Sequence, residues 1–219
     1  MLDSLLLPAR ESGSRAVMVV LHGLGDSHAG YRWLPEALDL PWMNYALVNA
    51  PDHYFGGYSW YDFAGDLAPG VERSWRLLCE FMSDLGKRGF PASEMYLFGF
   101  SQGCLMTLEV ALRCSEVLAG CIGVSGYVHE PERLLKLSSP VARQQRILVT
   151  HGTMDTMIPI DPVRRQIRQL QAAGIPITWR EYEKAHTIVE EELPVFREFI
   201  VAGRRRADEV RTSAGGAAS

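Results

Sequence analysis

Met95-Tyr96-Leu97-Phe98-Gly99-Phe100-Ser101-Gln102-Gly103-Cys104-Leu105-Met106-Thr107-Leu108-Glu109-Val110 decides the fold. The first six residues form an apolar run of the kind buried on both faces of a parallel sheet. The residues after Ser101 read as a helix over 102–114. Between them, Gly99-Phe100-Ser101-Gln102-Gly103 fits the pattern G-x-S-x-G. A serine placed between strand and helix is forced into a tight, strained turn. Glycines at 99 and 103 remove Cβ atoms where the two elements crowd. The hydroxyl then projects at the carboxyl end of the sheet, and the positive end of the helix faces any oxyanion that develops there. A five-residue pattern also occurs by chance, and the competing reading is an N-cap serine before a core helix. The strand before it and the helix after it favour a nucleophile.

Outward from this turn, short apolar runs alternate with helical patterns. Ala16 to Leu21 is a buried strand followed by a glycine-containing turn. Tyr31 to Leu38 reads as helix and Asn44 to Val48 as strand. Asn49 to Gly70 is rich in Pro, Gly and aromatic residues without a period, and is expected to be a long functional loop. Val71 to Lys87 is helical, Ala119 to Val124 and Arg146 to Thr150 are strands, Asp161 to Ala173 is helix and Ile177 to Tyr182 is strand. A last helix is expected over 188–201, kinked or split by Pro194. This alternation predicts an α/β fold with a mostly parallel central sheet and helices on both faces. One domain over 1–203 is expected, with a flexible tail from Arg204 to Ser219.

A serine hydroxyl is a poor nucleophile without a base. On a parallel sheet of this kind the chain order is Ser, then Asp or Glu, then His. His186 follows the strand ending at Tyr182, and Asp155 follows the one ending at Thr150, in His151-Gly152-Thr153-Met154-Asp155. The order selects Asp155 as the acid and His186 as the base. Asp161 is the rival acid, but it stands before Pro162 where an N-cap is needed. His151 is expected to be a turn residue bonding backbone near the acid, and His129 lies off the end of no clear strand. Acyl transfer also needs donors aimed at the oxyanion. One is the N–H of Gln102. The second comes from Leu21-His22-Gly23-Leu24-Gly25-Asp26, where the N–H of Leu24 is assigned. The same glycines do not make a phosphate loop, because no Gly-Lys-Ser/Thr follows and the third dinucleotide-binding glycine is missing.

Composition excludes several classes. The chain has 219 residues and a net charge of −4, which gives no reason to expect nucleic-acid binding. No apolar run approaches the roughly 20 residues that span a bilayer, so no integral membrane segment is expected. Met1 to Pro8 is apolar but lacks a basic start and a small-residue cleavage site, so no signal peptide is expected. Cys79, Cys104, Cys114 and Cys121 form no CxxC pair and have no histidines at metal spacing. Reduced thiols in a cytoplasmic protein are the expectation. No metal and no cofactor are expected.

With these pieces in place the chain resembles the phospholipase/carboxylesterase family, the carboxylesterase and acyl-protein thioesterase-like serine hydrolases of the α/β-hydrolase fold. The matching segments are Leu21 to Ser27, Asn49-Ala50-Pro51, Ser59-Trp60-Tyr61-Asp62, Gly99 to Gly103, His151 to Asp155 with Ile158-Pro159, and His186. The resemblance implies a nearly lidless hydrolase with a Ser101, Asp155, His186 triad and an oxyanion hole at Leu24 and Gln102. Two departures stand out: Ala185 replaces a frequent glycine before the histidine, and the loop from Asp52 to Tyr58 is shorter than in many relatives.

Phe55, Tyr58, Trp60, Met157 and Ile158 flank these loops and are expected to line an apolar acyl groove around a small ester substrate, although each could instead pack the sheet edge. The reading is a carboxylesterase for short- to medium-chain esters. The alternative is an acyl-protein thioesterase or lysophospholipase for longer chains. A third possibility is a hydrolase-fold protein that binds without catalysis, which the intact triad argues against. A homodimer is left open.

Overall fold

The computed structural model describes residues 2–215, with side chains as far as residue 205. The elements run β1 (Ser4–Leu7), β2 (Val17–Leu21), α1 (Leu34–Leu38), β3 (Asn44–Val48), β4 (Asp52–Tyr54), β5 (Gly57–Ser59), α2 (Ala68–Lys87), β6 (Met95–Phe100), α3 (Gln102–Arg113), β7 (Gly120–Val124), α4 (Pro131–Leu137), β8 (Ile147–Gly152), α5 (Ile160–Ala172), β9 (Ile177–Tyr182) and α6 (Leu193–Gly215). The main sheet has the order β1-β3-β2-β6-β7-β8-β9. All its pairings are parallel except that of β1 with β3.

Strand residues alternate between two cores. Val17, Val19 and Leu21 of β2, with Met95 and Leu97 of β6, face α2, α3, α4 and α5. Met18, Val20, Tyr96 and Phe98 face the other way, toward α1 and α6. Burial on both faces explains why these strands read as continuous apolar runs rather than alternating ones. Helix α3 lies at the centre of its layer, buried from Gln102 to Leu112. Its one inward carboxylate, Glu109, is 1 % exposed and is neutralised by Arg113 at 2.9 Å and Arg133 at 3.4 Å. A charge at that depth persists only when paired.

Several expectations are corrected. The leucines near the start form β1, an antiparallel edge strand in register with β3 (Ser4 opposite Val48, Leu7 opposite Tyr45). The stretch expected as a structureless loop holds the β4–β5 hairpin, and α2 begins three residues early, at Ala68. Phe55 and Gly56 at the hairpin tip both have positive φ, +43° and +88°, the twist a two-residue hairpin turn requires. Pro194 does not break the last helix. It falls in the first turn, where its missing N–H costs nothing. That helix continues to Gly215, and Arg204 stacks 4.2 Å above the Trp42 ring. Residues 216–219 of the expected tail lie outside the described residues. Asp161 is not an N-cap: Pro159 holds that position, and Asp161 pairs with Arg164 inside α5. No helix among the described residues is long and apolar enough to cross a membrane.

Candidate active site

The loops after β2, β6, β8 and β9 meet at the carboxyl ends of their strands. Open parallel sheets place ligands there. Ser101 links β6 to α3 with φ +55° and ψ −114°, a conformation a side-chain-bearing residue enters only under constraint. The constraint is visible: the Ser101 N–H is held by the Val124 carbonyl at 2.9 Å, and α3 starts one residue later. The Ser101 side chain makes no capping bond to α3, so its hydroxyl is free for another partner.

That partner is His186. Its Nε2 lies 3.0 Å from Ser101 Oγ, and its Nδ1 lies 2.7 Å from Asp155 Oδ2. The carboxylate accepts at Nδ1, so the proton sits on Nδ1 and Nε2 is left to accept from the serine. Asp155 is buried, and its other oxygen, Oδ1, accepts the N–H groups of Met157 at 3.0 Å and Ile158 at 2.8 Å. Both oxygens of the carboxylate are therefore engaged. The Phe100 ring packs 4.9 Å from the imidazole on the remaining side.

The loop after β2 is built around His22, which is 1 % exposed. Its Nε2 accepts from the Ala50 N–H at 3.0 Å, so its proton is on Nδ1, which donates to the Gly23 carbonyl at 2.6 Å. Burial pulls the His22 pKa down and keeps the ring neutral. With the Gly23 carbonyl turned to His22 and the peptide trans, the N–H of Leu24 points the opposite way. Gly23 itself stands against the nucleophile: a Cβ built on it would lie 3.3 Å from that of Ser101. The N–H of Gln102 is the first of α3 and has no partner within the helix. The Gln102 N–H thus stands next to Ser101, at the positive end of a twelve-residue helix.

The carboxamide of Gln102 does separate work. Its Oε1 accepts from the Trp60 N–H at 3.0 Å and its Nε2 donates to the Tyr61 carbonyl at 3.0 Å. Trp60 Nε1 donates to the His22 carbonyl at 2.9 Å, and the hairpin bonds Gly25 through Tyr58. The loop after β5 therefore braces the loop after β2. Sequence reading missed these braces, because each joins residues some 40 positions apart.

Of the five residues expected in an acyl groove, Phe55 and Met157 are 95 % and 74 % exposed, Tyr58 and Ile158 are half-buried, and Trp60 is fully buried. Trp60 supports the site from within the core rather than lining it. Phe63 and Met154, which sequence reading did not single out, are exposed on the same loops. His151 is buried, donates from Nε2 to the Ile158 carbonyl at 2.9 Å and stacks on Trp179, so it serves the turn that carries Asp155. Cys104, one turn into α3, is a core residue, its thiol pushed up to about 12 by burial.

Packing of the turn is tight at Gly103, where a Cβ would stand 2.1 Å from the Leu21 carbonyl oxygen. The clash is with backbone of β2, which cannot yield without opening the sheet. Gly103→Ala is expected to cost about 3 kcal/mol and to lower the melting temperature by about 10 °C. Thermal unfolding of the purified variant checks this, and an unchanged melting temperature would show that the approach relaxes freely.

Comparison with known proteins agrees with this architecture. Residues 7–202 match the phospholipase/carboxylesterase family model. The chain is similar to acyl-protein thioesterase 1 of Candida albicans, 28 % identical over 90 % of this chain and 96 % of that protein. It is also similar to acyl-protein thioesterase 1 of Yarrowia lipolytica, 29 % identical over 81 % and 86 %. Among solved structures, esterase PE8 superposes with a TM-score of 0.82 at 27 % identity, covering 92 % of this chain and 98 % of the other. Acyl-protein thioesterase 2 of Zea mays superposes with a TM-score of 0.76 at 23 % identity, covering 92 % and 98 %, which speaks to the fold alone.

Proposed function

This chain belongs to the phospholipase/carboxylesterase family of α/β-hydrolases, and from that premise we propose that it hydrolyses acyl thioesters and esters through a Ser101 acyl-enzyme. The observation that carries the mechanism is the unbroken chain Asp155 Oδ2, His186 Nδ1, His186 Nε2, Ser101 Oγ, at 2.7 Å and 3.0 Å. His186 takes the serine proton as Oγ attacks the acyl carbon. Asp155 holds the imidazole and stabilises the imidazolium. The N–H groups of Leu24 and Gln102 receive the oxyanion, each worth roughly 3 kcal/mol in the transition state. The imidazolium then protonates the leaving thiol or alcohol. Water, deprotonated by the same His186, attacks the acyl-enzyme and releases the acid.

For the substrate, a long acyl chain carried on a thiol or hydroxyl is favoured over the short- to medium-chain ester expected from sequence. The relatives at 28 % and 29 % identity are named acyl-protein thioesterases. Met154 and Met157 on the acid loop, Phe55 at the hairpin tip and Phe63 after β5 are exposed apolar side chains that a short acyl group would leave in water. Phe55, Met157, Tyr58 and Ile158 are the side chains assigned to acyl contact. The site needs no second chain: all three residues come from one protomer. Four free cysteines accord with the cytoplasm, the compartment we assign.

The test is a series of nitrophenyl esters and matched thioesters running from acetyl to palmitoyl. The expected result is a kcat/KM that rises with chain length beyond octanoyl and favours the thioester. A profile that peaks at acetyl would return the short-chain esterase reading.

A further inference from the structure

Two residues before His186, a lysine is buried where none of the chemistry above needs a cation. Lys184 is 2 % exposed, and its ammonium spends all three donors inside the protein. Nζ donates to both oxygens of Glu192 at 2.7 Å each and to the Thr187 carbonyl at 2.8 Å. Glu192 is fully buried and accepts two further bonds, from Thr150 Oγ1 at 2.5 Å and from the Val189 N–H at 3.0 Å. The backbone of Lys184 reaches the other way: its carbonyl accepts from the Met154 N–H at 3.1 Å, next to Asp155. The Lys184–Glu192 pair therefore ties together strand β8, the loop carrying the acid, the loop carrying the base and the turn before α6.

A buried ion pair of this kind is a poor source of stability, because desolvating two charges offsets their attraction. Its presence is better explained by geometry. We propose that Lys184 is a positioning residue for His186: its ammonium, locked to Glu192 and to the Thr187 carbonyl, fixes the base loop against the acid loop so that the imidazole spans Asp155 and Ser101. Lys184 has this role only if His186 is the base, as proposed above. Without the tether, the base loop keeps only its local Thr187 N–H to Ala185 carbonyl bond and the contacts of the ring itself with Asp155, Ser101 and Phe100, and a displacement of about 1 Å at a reacting group can cost a hundredfold in rate.

The pair also leaves an electrostatic signature. Asp155 faces His186 directly, Ser101 and the Phe100 ring also contact the imidazole, His151 interacts electrostatically with His186 and Lys184 with Asp155, and Glu192 pairs with Lys184. Lys184 and Glu192 together add no net charge. Removing the cation alone leaves a buried negative charge that favours the imidazolium, so the acid limb of kcat/KM moves to higher pH. Removing the carboxylate alone leaves a positive charge, and the limb moves to lower pH.

The experiment uses the full chain as Lys184→Met, Glu192→Gln and the double variant. The double variant carries no unpaired charge and keeps the test alive should a single variant fail to fold. It is expected to melt near the parent, with KM within about twofold and kcat down by about tenfold or more. The acid limb should move by about half a pH unit in opposite directions in the two single variants and stay near the parent in the double. A folded double variant with parental kcat, or single variants whose limbs move the same way or not at all, overturns the role of Lys184. Fluorophosphonate labelling of the parent separates the two readings. An unlabelled parent removes the hydrolase mechanism itself, whereas a labelled parent with an unaffected double variant removes only the positioning role.

Discussion

Ser101→Ala is expected to lower kcat by about 10⁴- to 10⁶-fold while the protein melts within a few degrees of the parent. The chemical loss is large because the nucleophile and its base act as a unit, so removing one leaves the other idle. What remains is the binding surface and the two backbone donors proposed at Leu24 and Gln102, which would still stabilise attack by water. The fold should be indifferent, for two reasons given by the structure. The Ser101 hydroxyl makes no cap bond to α3, so no helix terminus loses a partner. Alanine also keeps the Cβ, so the positive φ at this position is no more and no less strained than before. Steady-state turnover with the best ester or thioester, labelling by a fluorophosphonate and thermal unfolding together check the prediction. Turnover within about a hundredfold of the parent, in folded protein, would mean that another group carries the acyl chain.

The parts of this site that were legible from sequence are those whose causes are local. Strand β6, the Gly99 to Gly103 turn and α3 form one uninterrupted pattern in which apolar run, glycine spacing and helical period agree. Once that turn is placed, chain order alone leads to Asp155 and His186. What escaped is set by pairing at a distance. Leu5-Leu6-Leu7 becomes strand β1 because β3 offers an edge, and three leucines carry no signal of that edge. Helix α4 is only seven residues and owes its place to Leu134 in the core and to Arg133 against Glu109. The β4–β5 hairpin has a tip residue, Phe55, that no turn rule favours at positive φ, and its closure depends on Tyr58 bonding the loop after β2. Lys184 sits on a stretch that reads as an ordinary charged surface loop, Glu183-Lys184-Ala185, until the turn before α6 brings Glu192 to its ammonium.

Asp155→Asn should cost about 10⁴-fold in kcat, and the direction follows from which atoms are already committed. Oδ1 accepts the N–H groups of Met157 and Ile158. An asparagine in this place must keep its carbonyl oxygen there, since an NH₂ group cannot accept from those two donors. Its NH₂ group is then forced into the position of Oδ2, 2.7 Å from His186 Nδ1. A donor at that point makes Nδ1 the acceptor and moves the ring proton to Nε2, where it faces Ser101 Oγ. The imidazole remains neutral and in place but can no longer take the serine proton. The loop keeps both of its backbone bonds, and the melting temperature should change little. Measuring kcat, the rate of fluorophosphonate labelling and thermal unfolding on the same preparation tests each step. Labelling should slow in proportion to kcat, because both need the serine proton removed. A variant that labels at the parental rate would show that Asp155 does not set the tautomer of His186, and the role assigned to it would fall.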